Sequence, residues 1–266
     1  MTGRSSLLAA TTGAIRELRA VSLAEVLDEA ALQVRIDRKY LVPINAFIEM
    51  TDRLRHRFAV LDIDGRRSFK YESVYFDSAD YRLYREHVQR RRRRYKVRTR
   101  AYLDSGECTF EVKLKGGRSE TVKARMPYGL DDRARLTGEA LEFLGDQLRT
   151  EYGVSEAGDL VPALTTTYRR TTLVDRGDHA RLTCDIDLLF HHGPSGGGDV
   201  EVVRGPVGAV LVESKTAGRA GVADRVLRDL GIRPIQVSKY CVAAALLNPG
   251  LRANPWHRTL RQLQAA

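Results

Sequence analysis

Alternation dominates the middle of this chain. Eight segments, residues 34–42, 69–76, 93–102, 107–115, 119–126, 165–174, 180–190 and 208–216, read as strands, several with side chains two apart sharing one character. Asp104-Ser105-Gly106 and Asp175-Arg176-Gly177-Asp178 carry hairpin signals, and Gly116-Gly117 turns the chain into the fifth segment. Between the strands the period lengthens to that of helices. A short helix follows Ser22 as its cap, with Leu23, Val26, Leu27 and Ala30. Another starts at Pro43 and carries Phe47, Ile48, Met50 and Leu54; a third follows Asp77-Ser78 with Tyr81, Leu83, Tyr84 and Val88. Residues 138–152 present Leu141, Leu144 and Leu148 on one stripe, and 220–230 and 238–247 read as two more helices. The opening residues are polar and poorly periodic. His192-Gly193-Pro194-Ser195-Gly196-Gly197-Gly198 is a loop by composition, and the tail after Asn248-Pro249-Gly250 is expected to be peripheral. No linker separates the strands, so one domain is expected over 33–248, with an N-terminal segment 1–32 and a tail 249–266. The predicted class is α+β: an eight-stranded antiparallel β-barrel tunnel with surrounding helices.

The charged positions keep to one face. Glu111, Lys113 and Lys115 lie opposite Phe110, Val112 and Leu114; Lys96, Arg98 and Arg100 lie opposite Tyr95, Val97 and Thr99. Arg35, Asp37 and Lys39 share a side, as do Glu213 and Lys215, and Arg170 follows Tyr168. Two arrangements satisfy this pattern. Either an apolar face packs while the charged face meets water, or helices cover the apolar face and the charged face closes on itself as a lining. In the second case the lining is mostly cationic. Two like charges ~6 Å apart at an effective dielectric near 20 repel by about 3 kcal/mol, so such a wall calls for an anionic chain as its ligand.

Composition narrows the classes. The 266 residues carry a formal net charge of +10 with 43% hydrophobic content, which excludes a disordered charged tail. No stretch reaches the roughly 18 apolar residues of a membrane helix, and the weak apolar run near Leu7 makes a poor signal peptide. Cys108, Cys184 and Cys241 are odd in number and far apart. That excludes a disulfide framework or a CxxC zinc site and suits a reducing, cytoplasmic setting. Only eight of the 44 basic residues are lysine: 39, 70, 96, 113, 115, 123, 215 and 239. Positions that keep a compact ammonium in so arginine-rich a chain are worth following.

The ordered set Arg35-x-Asp37-x-Lys39-Tyr40, Tyr75-Phe76-Asp77, Lys96-Val97-Arg98-Thr99-Arg100, Phe110-Glu111-Val112-Lys113, Tyr168-x-Arg170, Val212-Glu213-Ser214-Lys215 and Ser238-Lys239-Tyr240 resembles the VTC domain. This is the polyphosphate polymerase domain of the CYTH, or triphosphate tunnel metalloenzyme, superfamily. The resemblance covers residues 33 to 247. It implies an eight-stranded tunnel that binds triphosphate or polyphosphate with Mn²⁺ or Mg²⁺. It implies phosphate binding by Lys39, Arg98, Arg100, Lys113, Lys115, Arg170, Lys215, Ser238 and Lys239; Lys39, Arg98, Arg100, Lys113, Arg170 and Lys239 form the catalytic set. Glu213, Glu111 and Asp37 are the implied metal ligands. Arg35 stands where the family has an acid, and Gln236 where the eukaryotic polymerases have a further lysine. The implied activity is transfer of the ATP γ-phosphate to a growing polyphosphate chain, a metal-dependent phosphotransferase reaction, with ATP and polyphosphate or triphosphate as partners.

Other classes compete. A non-catalytic polyphosphate or nucleotide sensor or scaffold, and a metal-dependent triphosphatase, use the same lining. Arg90-Arg91-Arg92-Arg93-Arg94 suggests nucleic acid, but the basic positions after it resolve into alternating strand residues, so no nucleic-acid partner is expected. That run is expected to rim the tunnel entrance. Ser214-Lys215-Thr216 lacks the glycine spacing of a phosphate loop, and His191-His192 lack further clustered ligands. Tyr81, Tyr84, Trp256 and the cysteines are expected in packing roles. Asp185 and Asp187 either neutralise arginines or position metal or water. A membrane protein is a possible partner, as acceptor of the product, that the sequence does not itself show, and no pattern fixes the oligomeric state.

Overall fold

The computed structural model describes residues 2–29, 36–117, 121–194 and 201–265. Arg35, Ala30 and the glycines 196–198 lie outside the described residues. The elements run α1 (Thr2–Ala14), β1 (Arg19–Val21), α2 (Leu23–Glu29), β2 (Ile36–Pro43), α3 (Ile44–Leu54), β3 (Phe58–Leu61), β4 (Phe69–Asp77), α4 (Arg82–Val88) and β5 (Tyr95–Tyr102). They continue with β6 (Glu107–Lys115), β7 (Thr121–Tyr128), α5 (Gly138–Tyr152), β8 (Val161–Asp175), β9 (Arg181–His192), β10 (Val202–Arg204), β11 (Ala209–Thr216), α6 (Val222–Asp229), α7 (Lys239–Leu247), a 3₁₀ turn (Asn254–Trp256) and α8 (His257–Ala265).

The eight expected strands form one path, β2-β11-β9-β8-β4-β5-β6-β7, with every neighbouring pair antiparallel. Three short strands join it: β10 pairs with β9, β3 with β8, and β1 runs parallel to β3. The expected closed barrel is not formed: among the described residues β2 and β7 remain the two ends of the path. At the β2 end, the Ile235 N–H donates to the Lys39 carbonyl at 2.7 Å and the Lys39 ammonium donates to the Val237 carbonyl at 2.9 Å. The segment leading into α7, rather than β7, thus meets that edge.

Helices cover the apolar face. Phe47, Met50 and Leu54 of α3 pack on Tyr40, Val42, Leu182, Cys184, Val210 and Val212. Ala140, Leu144 and Leu148 of α5 pack on Val97, Phe110, Val112 and Leu114. The third layer is α7, apolar around its circumference and buried with Tyr84, Leu164 and Phe190. Two expectations at the chain ends are corrected. The unperiodic opening holds α1, whose Leu7 joins Ile15 and Leu18 in the α3 core; the buried stripe Leu7, Thr11, Ile15 escapes notice because a threonine stands in its middle. The tail is not peripheral: Trp256 and Leu263 are buried beside Tyr84 and α7. Ser214-Lys215-Thr216 lies inside β11, not in a phosphate loop. No helix among the described residues is long and apolar enough to cross a membrane.

Candidate functional site

The sheet curls so that alternate side chains of β2, β4–β8 and β11 converge on one cavity of about 280 Å³, with Val237, Ser238 and Lys239 at the head of α7 completing its wall. Nine cations line it: Lys39, Lys96, Arg98, Arg100, Lys113, Lys123, Arg170, Lys215 and Lys239. Three carboxylates oppose them: Asp37, Glu111 and Glu213. Every predicted site residue except Lys115 lines this space. Lys115 lines a second cavity of about 370 Å³, one strand step beyond Lys113. Lys96 and Lys123 were not singled out as site residues. The signal for both was present, since each is a lysine on the charged parity of its strand.

Register explains the charge density. Lys96 sits directly opposite Lys113, and Lys113 directly opposite Lys123, so three lysines stand abreast across β5, β6 and β7, the Lys123 ammonium reaching Glu111. Like charges directly opposite on a sheet destabilise it. Burial, with Lys39 and Lys96 adding repulsion, pushes the Lys113 ammonium down to about 8. Burial likewise brings Lys123 to about 8, Glu111 opposing and Arg100 adding. Lys96 is held below the ordinary lysine range, chiefly by burial. In β11 burial brings Lys215 to about 7 against the attraction of Glu213, 3.7 Å away.

The acids mostly hold cations. Arg98 donates from Nε and Nη2 to Glu111 Oε2 at 2.8 and 2.5 Å; Lys123 lies 3.2 Å and Arg100 3.8 Å from Oε1. Burial alone would raise the Glu111 carboxyl, but these cations hold it well below the carboxylate range. Asp185 takes a two-pronged bond from Arg170 at 2.7 and 2.8 Å and an ammonium bond from Lys239. Burial raises its carboxyl, and Arg170 and Lys239 bring it down to about 2. Of the two roles open to Asp185, the ion pair is the one observed. Asp187, at φ 55°, leaves that row and lies 3.8 Å from Arg169.

An aromatic wall backs the cations. Tyr71 and Tyr168 stack at 5.3 Å, with Arg170 5.2 Å from both ring centres and Lys239 4.7 Å from Tyr168. The Tyr168 hydroxyl and the Arg100 Nε are buried without a hydrogen-bond partner. Buried donors left unpaired cost about 1–3 kcal/mol each, so a ligand oxygen or water belongs there.

Asp77 sets the position of α7. Its carboxylate accepts the Leu83 and Tyr84 N–H groups at 2.8 and 2.9 Å, capping α4, and it accepts the Tyr240 hydroxyl. Ser238 caps α7 by accepting the Cys241 N–H at 3.3 Å, which leaves its hydroxyl hydrogen for a ligand. Tyr240→Phe is therefore expected to cost about 1–2 kcal/mol in urea unfolding and to weaken anion binding through a looser Lys239. Unchanged unfolding would contradict this link.

For a metal, the chemistry of the donor set decides. Among the described residues no three His, Cys, Asp or Glu side chains converge. Glu213 pairs with Lys39 across β2 and β11, and Asp37 with Lys215, so the two acids are diagonal neighbours lining the same cavity. One or two carboxylates plus phosphate oxygens and waters is how Mg²⁺ is held, and these residues fit a hard cation of that kind. Glu111, surrounded by three cations, suits it less. Among the described residues His191 and His192 belong to no metal-competent group, with His192 Nε2 3.2 Å from the Leu247 carbonyl. Tyr84 donates to the Arg252 carbonyl at 2.9 Å and packs on Trp256; the three cysteines are buried and free.

Fold and cavity together define a class: an antiparallel sheet curled around a cationic interior and sheathed by helices. The chain belongs to the VTC domain family, whose model matches residues 34–248. It is similar to the putative adenylyl cyclase HpAC1 from Hippeastrum, described as revealing a dominant triphosphatase activity. That match has 15% identity, covers 81% of this chain and 97% of that one, and has a TM-score of 0.48. It is also similar to a putative adenylate cyclase (bh2851) from Bacillus halodurans, at 15% identity, 77% and 94% coverage, and a TM-score of 0.42. No curated protein matches it.

Proposed function

We propose that this chain is a polyphosphate polymerase, transferring the ATP γ-phosphate to the end of an inorganic polyphosphate chain held in the cationic cavity. The observation that carries this reading is the row Lys96-Lys113-Lys123, like charges abreast inside a cavity where a polyanion offsets their repulsion. Phosphoryl transfer needs alignment and charge neutralisation more than covalent chemistry from the protein. Lys39, Arg98, Arg100, Lys113, Arg170 and Lys239 bind and align the phosphates; Ser238 and the Tyr168 hydroxyl donate to their oxygens. Glu213 with Asp37 would hold Mn²⁺ or Mg²⁺. The bound ion would neutralise charge on the phosphate oxygens.

The acceptor decides between polymer and free phosphate. The end of a phosphate chain is already ionised near neutral pH and needs no base, whereas water needs a group to orient or deprotonate it. Glu111 and Asp185 are committed to cations, which favours the chain end. Incubation of the protein with ATP and Mn²⁺ separates the cases. Acid-labile polymer with release of ADP is expected; free phosphate alone identifies a hydrolase, and binding without turnover a sensor.

The lowered lysines give the site a pH signature. Below about 7 the ammonium groups of Lys113, Lys123 and Lys215 carry their protons; above about 8 the empty protein loses them. A polyanion favours the protonated forms. Tripolyphosphate affinity is therefore expected to fall from pH 7 to pH 9, with net proton uptake on binding at pH 8. Calorimetry in buffers of different ionisation enthalpy reads the uptake; proton release on binding would contradict it.

A further inference from the structure

We propose that the Arg90–Arg94 segment is an outer track that holds a long inorganic polyphosphate where it leaves the cavity; this rests on the phosphate-chain reading of the site. The second cavity shares Lys96 and Lys113 with the first, so the two adjoin at these lysines. Its other cations are Arg90, Arg94 and Lys115, and among the described residues no carboxylate lines it. The first cavity balances part of its charge internally; this one does not, so its field has a single sign.

Beyond it the middle three residues of the run turn outward. Arg91, Arg92 and Arg93 line a third, open cavity of about 540 Å³, alongside Arg82, Arg85 and Glu86. Arg82 and Arg85 are held by Glu86 and Asp80. The run is thus a wall with basic side chains on both sides, one set in the inner passage and the other on the outer face. Charge complementarity along this path fits a ligand with a regular negative charge on every unit, longer than the inner cavity accommodates.

The backbone supplies an independent reason. Arg90 follows the end of α4 at φ 54°, in the left-handed region. Its N–H bonds the His87 carbonyl at 3.2 Å and the Arg91 N–H bonds the Glu86 carbonyl at 2.9 Å, the paired bonds of a helix-ending motif whose left-handed position is usually glycine. Folding alone favours glycine there. Arginine at that place brings a cation to the passage mouth at a conformational cost. The buried Nδ1 of His87, on the same wall, has no partner.

The test compares full-length wild type, Arg90→Gly, and the double variant Arg92→Gln with Arg93→Gln. Each is titrated with tripolyphosphate and with long-chain inorganic polyphosphate at 0.15 M salt, and each is thermally unfolded. Expected are a loss of about three- to fivefold in long-chain affinity per variant, unchanged tripolyphosphate affinity, and equal or higher melting temperature for Arg90→Gly. Equal losses for both ligands, or no loss for the long chain, would overturn the track. A single-stranded oligonucleotide of similar charge is titrated in parallel; binding as tight as the long chain, with the same dependence on these arginines, would overturn the assignment of the ligand. Failure of wild type to bind tripolyphosphate would instead strike the function proposed above.

Discussion

Asp185→Ala is expected to destabilise the fold by about 3–5 kcal/mol, because it strips two buried cations of their shared counter-charge. Arg170 and Lys239 converge on this carboxylate from β8 and α7, and Asp185 is 1% exposed. Left alone, both cations keep only the weaker attraction of Glu213. The pH dependence supplies the sign. The Asp185 carboxyl is lowered in the fold to about 2, so its stabilisation is fully present above the unfolded value near 4 and disappears as pH falls through about 2. Urea unfolding should therefore show a wide gap between wild type and variant at pH 7 that narrows as the pH approaches 2. Saturating tripolyphosphate should recover part of the loss, because the ligand replaces the missing negative charge. Equal stability of the two proteins at pH 7 would contradict the assigned ion pair.

Lys113→Met should move stability and binding in opposite directions. Methionine approximates the lysine stem and removes the middle ammonium of the row, which relieves repulsion from Lys39 and Lys96. Melting temperature is expected to stay level or rise. Tripolyphosphate affinity is expected to fall about thirty- to a hundredfold, the equivalent of about 2–3 kcal/mol for a charge-assisted bond to phosphate. A core role for Lys113 would give the reverse, lower stability with binding intact. Calorimetric titration beside thermal unfolding distinguishes the two outcomes.

The strand faces were legible because a period of two is a local property: once Phe110, Val112 and Leu114 point to the helices, Glu111 and Lys113 must point away. Motif resemblance then singled out most of the lining. Lys123 escaped because its strand carries no quoted motif, although its parity against Val122 and Met126 pointed to it. Lys115 had the right parity but lies one step too far along the strand, in the neighbouring cavity. That the barrel stays open was not legible, because the β2 edge is met by the Ile235 backbone and not by β7, through a long-range bond no side-chain pattern announces. Strands of three or four residues, such as β1, β3 and β10, are too short to show a period. Asp185 stood equally for an ion pair or a metal ligand until Arg170 and Lys239 were seen to converge on it.

Central to this account is that a phosphate chain lies inside the curled sheet rather than on its exterior. Diffraction from crystals soaked in tripolyphosphate and Mn²⁺ addresses that directly, with anomalous signal to mark the metal. The account predicts phosphorus density within hydrogen-bonding reach of Lys39, Lys113 and Lys239, and manganese beside Glu213. Tripolyphosphate bound only on the outer surface, with the interior holding water alone, would contradict it.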